Sequence, residues 1–243
     1  MENELTNKEF WKNYWFNYQY KNIPSKVIYC RYLPRLKNKR NFLEIGGFPG
    51  INAAYFYIHG CTDVTILDFY IDPQIVHQFE EYNQMPEGAI QCIEADFFNI
   101  KSNRKYDIVF SSGFIEHFED TQDVIKRHVD LLSEQGTILI ILPNFRGLNG
   151  FLQYVADRKN YKAHNLASMH IKTLRKIMNE LGFPKAEISY TRKPMLWLEP
   201  KAGKRHKLAK LMVKILSHAL KLLPFKCRLL SPYIIIFAEN TNV

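Results

Sequence analysis

Short apolar runs alternate with longer segments of helical periodicity along most of this chain. The runs are short enough to be strands, and the segments between them repeat apolar residues every three or four positions. The predicted strands are 41–45, 64–67, 89–95, 106–110, 136–142, 186–191 and 233–238, and the predicted helices are 51–59, 73–83, 121–133 and 168–181. This order predicts an α/β fold with a doubly wound, mostly parallel seven-stranded sheet, helices on both faces and ligands at the strands' carboxyl ends.

Three segments interrupt the alternation. The N-terminal piece is rich in aromatic residues (Phe10, Trp11, Tyr14, Trp15, Phe16), and residues 143–167 and 192–231 lie outside the repeating pattern. We expect an aromatic N-terminal segment and helical insertions added to one core domain that spans 1–243.

Composition favours a cytoplasmic globular protein. Apolar residues make up 47% and charged residues 23% of the 243 positions, and no run approaches the 18 uncharged apolar residues of a membrane span. The first nine residues are polar and acidic, unlike a secretory signal. Cys30, Cys61, Cys92 and Cys227 are widely separated, so we expect buried, reduced thiols and no structural zinc site.

The net charge of +9 comes from one segment. Residues 201–228 contain nine Lys or Arg and no acid, which leaves 24 bases (33 − 9) and 24 acids elsewhere. The segment is predicted to be a helix with an apolar face of Leu208, Leu211, Met212, Ile215, Ala219, Leu222 and Leu223 beside a stripe of Lys207, Lys210, Lys214, His218 and Lys221. Two interpretations remain: a lid that packs its apolar face on the domain, which we favour, or peripheral contact of 204–223 with anionic lipid at the inner membrane face.

The segment 41–50 predicts a ligand site. A short apolar strand leads into a glycine-rich turn and then a helix, and Asp68 follows at the tip of the next strand. Such an acid can accept hydrogen bonds from both hydroxyls of a ribose, which points to a nucleoside-bearing cofactor. Phe48 and Pro49 occupy positions where a dinucleotide-binding loop needs open backbone against a pyrophosphate.

Five motifs in order resemble class I S-adenosylmethionine-dependent methyltransferases, in the branch that acts on small molecules and is similar to quinone O-methyltransferases. They are Glu44-Ile-Gly-Gly47 with Gly50, Asp68, Asp96-Phe97, Tyr106-Asp-Ile-Val-Phe-Ser-Ser-Gly-Phe-Ile-Glu-His117 and Leu131-Leu-Ser-Glu-Gln-Gly136. The resemblance implies a Rossmann-like fold, S-adenosyl-L-methionine as cofactor and S-adenosyl-L-homocysteine as product. The cofactor residues it implies are Glu44, Gly46, Gly47, Gly50, Asp68, Phe69, Asp96, Phe97 and Ser112, with Asp96 at the adenine amine.

On this resemblance, residues 1–40 form an N-terminal cap, 41–142 the cofactor-binding half, and 143–167 and 192–231 acceptor-side insertions or a lid. His117 lies just beyond the fourth strand, and its ordinary pKa suits a general base at neutral pH. Glu116 could orient the cofactor or join a metal site. Gly113 stands where a further acidic ligand would be needed, so we expect no metal.

Residues of the first insertion are candidates for acceptor binding. Asn144, Arg146 and His164 are polar and lie where this fold builds its acceptor pocket, and Arg146 could clamp a carboxylate or phosphate.

The main hypothesis is O-methylation of a small metabolite or of a glycan or lipid precursor. The alternatives are N-methylation of a small amine and a catalytically weak cofactor-binding subunit of a biosynthetic complex. We expect no nucleic-acid partner, because the chain lacks the Asn/Asp-Pro-Pro-Tyr motif of base methylation.

Overall fold

The predicted strands lie side by side in one sheet of order β3-β2-β1-β4-β5-β7-β6. The computed structural model describes residues 7–100, 103–191, 194–198, 204–220 and 228–240. The strands are β1 (Asn41–Ile45), β2 (Asp63–Asp68), β3 (Ile90–Glu94), β4 (Tyr106–Ser112), β5 (Leu132–Pro143), β6 (Glu187–Tyr190) and β7 (Tyr233–Glu239). All pairs among the first five are parallel, and β7 runs antiparallel to β5 and β6. The expected α/β, Rossmann-like sheet is confirmed.

Helices connect the strands and cover both faces of the sheet. They are α1 (Lys8–Trp15), α2 (Leu33–Leu36), α3 (Ile51–Ile58), α4 (Pro73–Tyr82), α5 (Thr121–Val129), α6 (Leu148–Ala156), α7 (Arg158–Lys162), α8 (Ile171–Glu180) and α9 (Lys204–Leu220). Local chemistry sets several boundaries. The carboxylates of Asp72 and Asp120 cap α4 and α5 by accepting from backbone amides of the first turn. Gly182, with a φ of 88°, follows the end of α8.

The core is divided by the sheet into two layers. On one side, β-strand residues such as Leu43 and Ile138 pack with α5 and α8. On the other side, residues such as Phe42 and Leu139 pack with α3, α4 and the segment before β1. Successive side chains of a strand therefore point alternately into the two core layers. Each fully buried apolar side chain contributes about 1.5–3 kcal/mol to the free energy of unfolding.

The predicted boundary between α5 and β5 is wrong. The pattern favoured a helix over 121–133, but α5 ends at Val129 and β5 begins at Leu132. Leu132 pairs with Tyr106 of β4, so its backbone joins the sheet instead of extending the helix. A tertiary contact here overrides the local helical spacing.

The expectation of buried cysteines is only partly correct. Cys61 is buried, but Cys30 and Cys92 are exposed. Cys92 lies on β3, which is an edge strand, so its side chain has sheet neighbours on one side only. Cys227 lies outside the described residues.

Helix α9 does not pack as the lid interpretation required. Its side chains Val213 and Ser217 are buried, whereas Leu211, Met212 and Ile215 of the expected buried face are exposed. The remaining members of that face lie at positions whose side chains or backbone fall outside the described residues. In the part of the chain that the structure describes, no helix combines the length and apolarity needed to cross a membrane.

Candidate functional site

A cavity of about 400 Å³ opens at the carboxyl ends of β1 and β4, where the strand order reverses direction. Ligands of doubly wound sheets bind in this crevice, and the volume lies in the usual range for a small-molecule site. Expected site residues on its lining are Glu44, Gly46, Gly47, Asp68, Phe69, Phe97, Ser112, His117 and His164.

Glu44 supports the glycine-rich turn from below. Its carboxylate is buried and accepts hydrogen bonds from the Asn52 side chain at 2.7 Å and the Ala53 backbone amide at 3.0 Å. These donors lie in the first turn of α3, where unpaired amides attract negative charge. Burial nevertheless raises the pKa of Glu44 to about 8, although both hydrogen bonds oppose the shift. Glu44 therefore anchors α3 against β1 at the floor of the cavity.

The glycines have different roles. A Cβ on Gly47 would lie 2.5 Å from Cγ of Glu44, so this position needs glycine for the carboxylate to reach α3. Gly50 caps α3 with a φ of 104°, and a Cβ there would lie 2.9 Å from Ile90. Gly50 does not line the cavity, so its expected direct cofactor contact is corrected to a backbone role.

Asp68 lies at the tip of β2 and faces the same turn. Its Oδ2 accepts from the Phe48 amide at 3.0 Å, which ties the second strand to the glycine-rich turn. Burial raises the pKa of Asp68 to about 6, although backbone hydrogen bonds oppose the shift. A carboxylate at this place can accept from hydroxyl groups of a ligand.

Two of the expected adenine contacts line the cavity, but Asp96 does not. Phe69 and Phe97 form part of the wall, and Phe97 packs edge-on against Phe114 with ring centroids 5.4 Å apart. The Asp96 carboxylate turns back on its own loop, where it accepts from the Phe98 amide at 2.9 Å and from the Asn99 side chain. This local turn explains why Asp96 is absent from the cavity wall.

His117 and His164 meet across the cavity. Nδ1 of His117 lies 3.1 Å from the carbonyl oxygen of Ala163, and Nδ1 of His164 lies 2.7 Å from that of Asn160. A carbonyl can only accept, so Nδ1 carries the proton in each neutral ring and Nε2 keeps its lone pair. Asn165 holds the two loops together, because its backbone amide donates a hydrogen bond to the backbone carbonyl of Glu116 at 2.7 Å.

The electrostatics of His117 differ from the sequence-based expectation. Burial, together with the neighbouring His164, lowers its pKa to about 3. Burial also lowers the pKa of His164. Both rings are therefore neutral at physiological pH, and the assumption that His117 keeps its ordinary pKa is wrong.

Glu116 is a buried cavity residue with an unsatisfied carboxyl oxygen. The side chain is 1% exposed, and its Oε2 has no hydrogen-bond partner among the described residues. Burial raises the pKa of Glu116 to about 8, so the group is mostly a neutral acid at pH 7. Glu116, His117 and His164 also form a group whose potential metal-ligand atoms lie within 4.8 Å of one another. The expectation of no metal stays a prediction.

Several cavity residues had no assigned role in the sequence. Side chains of α1 close one side, and the Trp11 ring meets the His117 ring edge-on at 5.3 Å. Another wall is formed by Trp197, which precedes α9, and by Tyr233, the first residue of β7. The aromatic density of the N-terminal segment was the only available signal, because these residues reach the cavity from distant parts of the chain.

Two expected acceptor contacts lie outside the cavity. Asn144 is fully buried, and its side-chain amide donates to the carbonyls of Arg228 at 2.7 Å and Ser231 at 2.8 Å. It joins the end of β5 to the segment before β7, which is a structural role. Arg146 does not line the cavity either, so the expectation for both residues is corrected, whereas His164 does line it.

A family model described as "Methyltransferase domain" matches residues 16–187, which is more than half of the chain. A comparison with curated proteins finds no match.

Solved methyltransferase structures share the fold at low identity. A SAM-dependent methyltransferase from Archaeoglobus fulgidus is 20% identical with a TM-score of 0.56, over 87% of this chain and 90% of that one. A phosphoethanolamine N-methyltransferase 2 from Haemonchus contortus, in complex with S-adenosyl-L-methionine, is 17% identical with a TM-score of 0.59, over 86% and 51%. The plantazolicin methyltransferase BpumL, in complex with SAH, is 15% identical with a TM-score of 0.55, over 86% and 78%.

Proposed function

This chain belongs to the methyltransferase-domain family, and from that premise we propose that it transfers a methyl group from S-adenosyl-L-methionine to an oxygen atom of a small molecule. The observation that carries the proposal is the position of His117, whose neutral ring faces the cavity beyond β4. Asp68 and the glycine-rich turn line the other end of the same cavity.

The residues of the cavity fit the cofactor. Asp68 would accept from the ribose hydroxyls, and Phe69 and Phe97 would flank the adenine ring. The turn with Phe48 and Pro49 suits a ligand without phosphates. When bound, S-adenosyl-L-methionine supplies an electrophilic methyl group on a sulfonium centre.

His117 acts as the proton acceptor in this proposal despite its low pKa. An acceptor hydroxyl would gain positive charge as its oxygen took the methyl group and the sulfonium left as a neutral thioether, and the hydroxyl proton would then be strongly acidic. A ring with a pKa of about 3 is basic enough to take that proton, and Nε2 carries the lone pair for it. Before transfer, the same lone pair orients the hydroxyl by accepting its hydrogen bond.

Calorimetry with S-adenosyl-L-methionine tests the cofactor assignment. Asp68→Ala should weaken binding about ten- to a hundred-fold, since loss of hydrogen bonds to a charged group costs roughly 1.5–3 kcal/mol. Asp96→Ala is the matched control, because Asp96 also follows a strand but lies outside the cavity, and it should leave affinity unchanged. Equal losses in both variants, or no loss in either, would contradict the assignment.

Turnover with labelled methyl donor and a panel of phenols, sugar alcohols and amines tests the reaction. Transfer to hydroxyl compounds that depends on His117 supports the proposal. Cofactor binding without transfer to any member would favour the binding-subunit alternative instead.

N-methylation of an amine is the second candidate, and the aromatic wall favours it. Trp11, Trp197 and Tyr233 line the cavity, and aromatic faces bind ammonium groups by cation–π attraction. An ammonium group has no lone pair, so the bound amine must first release a proton to solvent and then attack as the neutral form. Because solvent can take that proton before methyl transfer, the methylation of an amine should survive His117→Ala. Persistence of amine turnover in that variant would identify nitrogen as the acceptor atom.

A further inference from the structure

An apolar surface remains exposed on two neighbouring helices. Eight large apolar side chains of α6, α9 and the segment before β7 are between 46% and 67% exposed. They are Phe151, Tyr154, Val155, Leu211, Met212, Ile215, Leu216 and Leu229, here called the outer apolar face. Exposed apolar side chains in this number mark a contact site.

Helices α6 and α9 pack against each other through buried and partly buried side chains. Val213 of α9 packs with Leu148 and Leu152 of α6 in a small separate cluster. The Leu148 amide also donates to the carbonyl of Leu229 at 2.8 Å, which holds Leu229 beside the start of α6. The outer apolar face is therefore carried on a packed support.

Among the described residues, Leu211 and Leu216 of α9 are exposed and take no part in the buried core. The contact edge of the helix is formed by Val213 and Ser217, and the Ser217 hydroxyl accepts from the Leu196 amide at 3.1 Å. Leu211, Met212 and Ile215 point away from that edge at helical spacing. A helix that only covered the domain would bury these residues.

The segment that contains α9 carries only positive charge. Nine of the 33 basic residues and none of the 24 acids lie between 201 and 228. In the sequence, the polar positions 207, 210, 214 and 218 recur at the spacing of one helix face. Lys214 is exposed beside the apolar residues. An apolar protein partner would not need this charge, and a nucleic acid would not need exposed leucines.

We propose that α9 docks in the plane of an anionic lipid bilayer, with the outer apolar face in the acyl–headgroup boundary and the lysines on the lipid phosphates. An apolar face can enter the acyl–headgroup boundary, and lysines beside it can contact the anionic headgroups. Leu196 and Leu198 pack under α9 and flank Trp197, which lines the cavity. Docking therefore brings one wall of the acceptor site to the lipid.

Flotation with vesicles of phosphatidylglycerol and phosphatidylcholine tests the proposal on the full chain. The protein should float with these vesicles, stay behind with pure phosphatidylcholine, and be released in part by high salt. Changing Lys207, Lys210, Lys214 and Lys221 to Gln should weaken binding about fivefold per lysine. The control set Lys126, Lys172, Lys176 and Lys185 to Gln removes the same charge elsewhere and should retain most of the binding.

A second pair of variants tests the apolar contact. Leu211→Gln and Ile215→Gln should each weaken flotation about tenfold, because less apolar area enters the lipid. Their melting temperatures should match wild type, since both side chains are already exposed. Three results would overturn the proposal. They are no flotation of wild type, equal losses in the two lysine sets, and unchanged flotation of Leu211→Gln and Ile215→Gln, which would mean that the apolar face serves another contact such as a second copy of the chain. None depends on methyl transfer.

Discussion

The imidazole rings of His117 and His164 lie 4.8 Å apart, centroid to centroid, although one follows β4 and the other follows α7. Each ring is anchored by Nδ1 to a backbone carbonyl, so the remaining nitrogens keep their lone pairs. Two neutral histidines thus stand at the acceptor end of the cavity. Because they are close, protonation of one disfavours protonation of the other.

His117→Ala should lower kcat for a hydroxyl acceptor about a hundred-fold or more, because the proton loses its acceptor. Affinity for S-adenosyl-L-methionine should change less than about threefold. His117→Asn should not restore the rate, since an amide cannot take the proton. His77→Ala, at an exposed histidine of α4, is the control. A fall of less than threefold at saturating acceptor would make His117 a structural residue.

The stability of the ligand-free protein should fall as pH rises from 6.5 to 8. Glu116 and Glu44 have pKa values raised to about 8, so the folded state keeps protons that the unfolded chain has released. The stabilisation that such a group contributes is fully present below the pKa of the unfolded chain. It is lost as the pH rises through the pKa of the folded state. The slope is at most about 1.4 kcal/mol per pH unit for each carboxyl.

Melting curves of Glu116→Gln measure this effect. The variant removes one titrating group while keeping the size of the side chain, so its melting temperature should depend less on pH than that of wild type. The buried rings of His117 and His128 oppose this slope at the lower end of the window, because burial lowers their folded pKa values while the unfolded rings are still about half protonated near pH 6.5. The fall in stability should therefore be clearest above about pH 7. A wild-type melting temperature that rises towards pH 8 would refute the assignment.

Asn144→Ala should destabilise the fold by roughly 1–3 kcal/mol, because it removes the buried hydrogen bonds to the carbonyls of Arg228 and Ser231. Arg146→Ala, on the same loop but partly exposed, should stay within about 0.5 kcal/mol of wild type. Urea unfolding measures both. If Arg146→Ala instead raised the KM of an anionic acceptor without affecting stability, the original substrate-binding role would return.

Chelation should leave turnover unchanged, because proton transfer to His117 needs no Lewis acid. The measurement is the rate before and after dialysis against EDTA, together with the metal content of the purified protein. Loss of activity that zinc or magnesium restores would show the prediction of no metal to be wrong. Glu116, His117 and His164 are the group to substitute in that case.

The sequence alone determined the strand–turn–helix unit from 41 to 58 and the position of Asp68. Strand alternation, glycine placement and helical spacing are local properties, so the cofactor end of the cavity was predictable from residue order. The same local signals placed the end of α5 too late in the chain, because Leu132 pairs with Tyr106 of β4 and so belongs to the sheet.

The acceptor end was decided only by tertiary structure. His164 meets His117, and Trp11 and Trp197 close the cavity, through contacts between segments that are distant in the chain. Asp96 and Asn144 have side chains suited to ligand binding, but these side chains form hydrogen bonds with backbone groups of the protein instead. Helical spacing grouped the leucines of α9 correctly but could not tell which face is buried, because burial depends on what lies opposite.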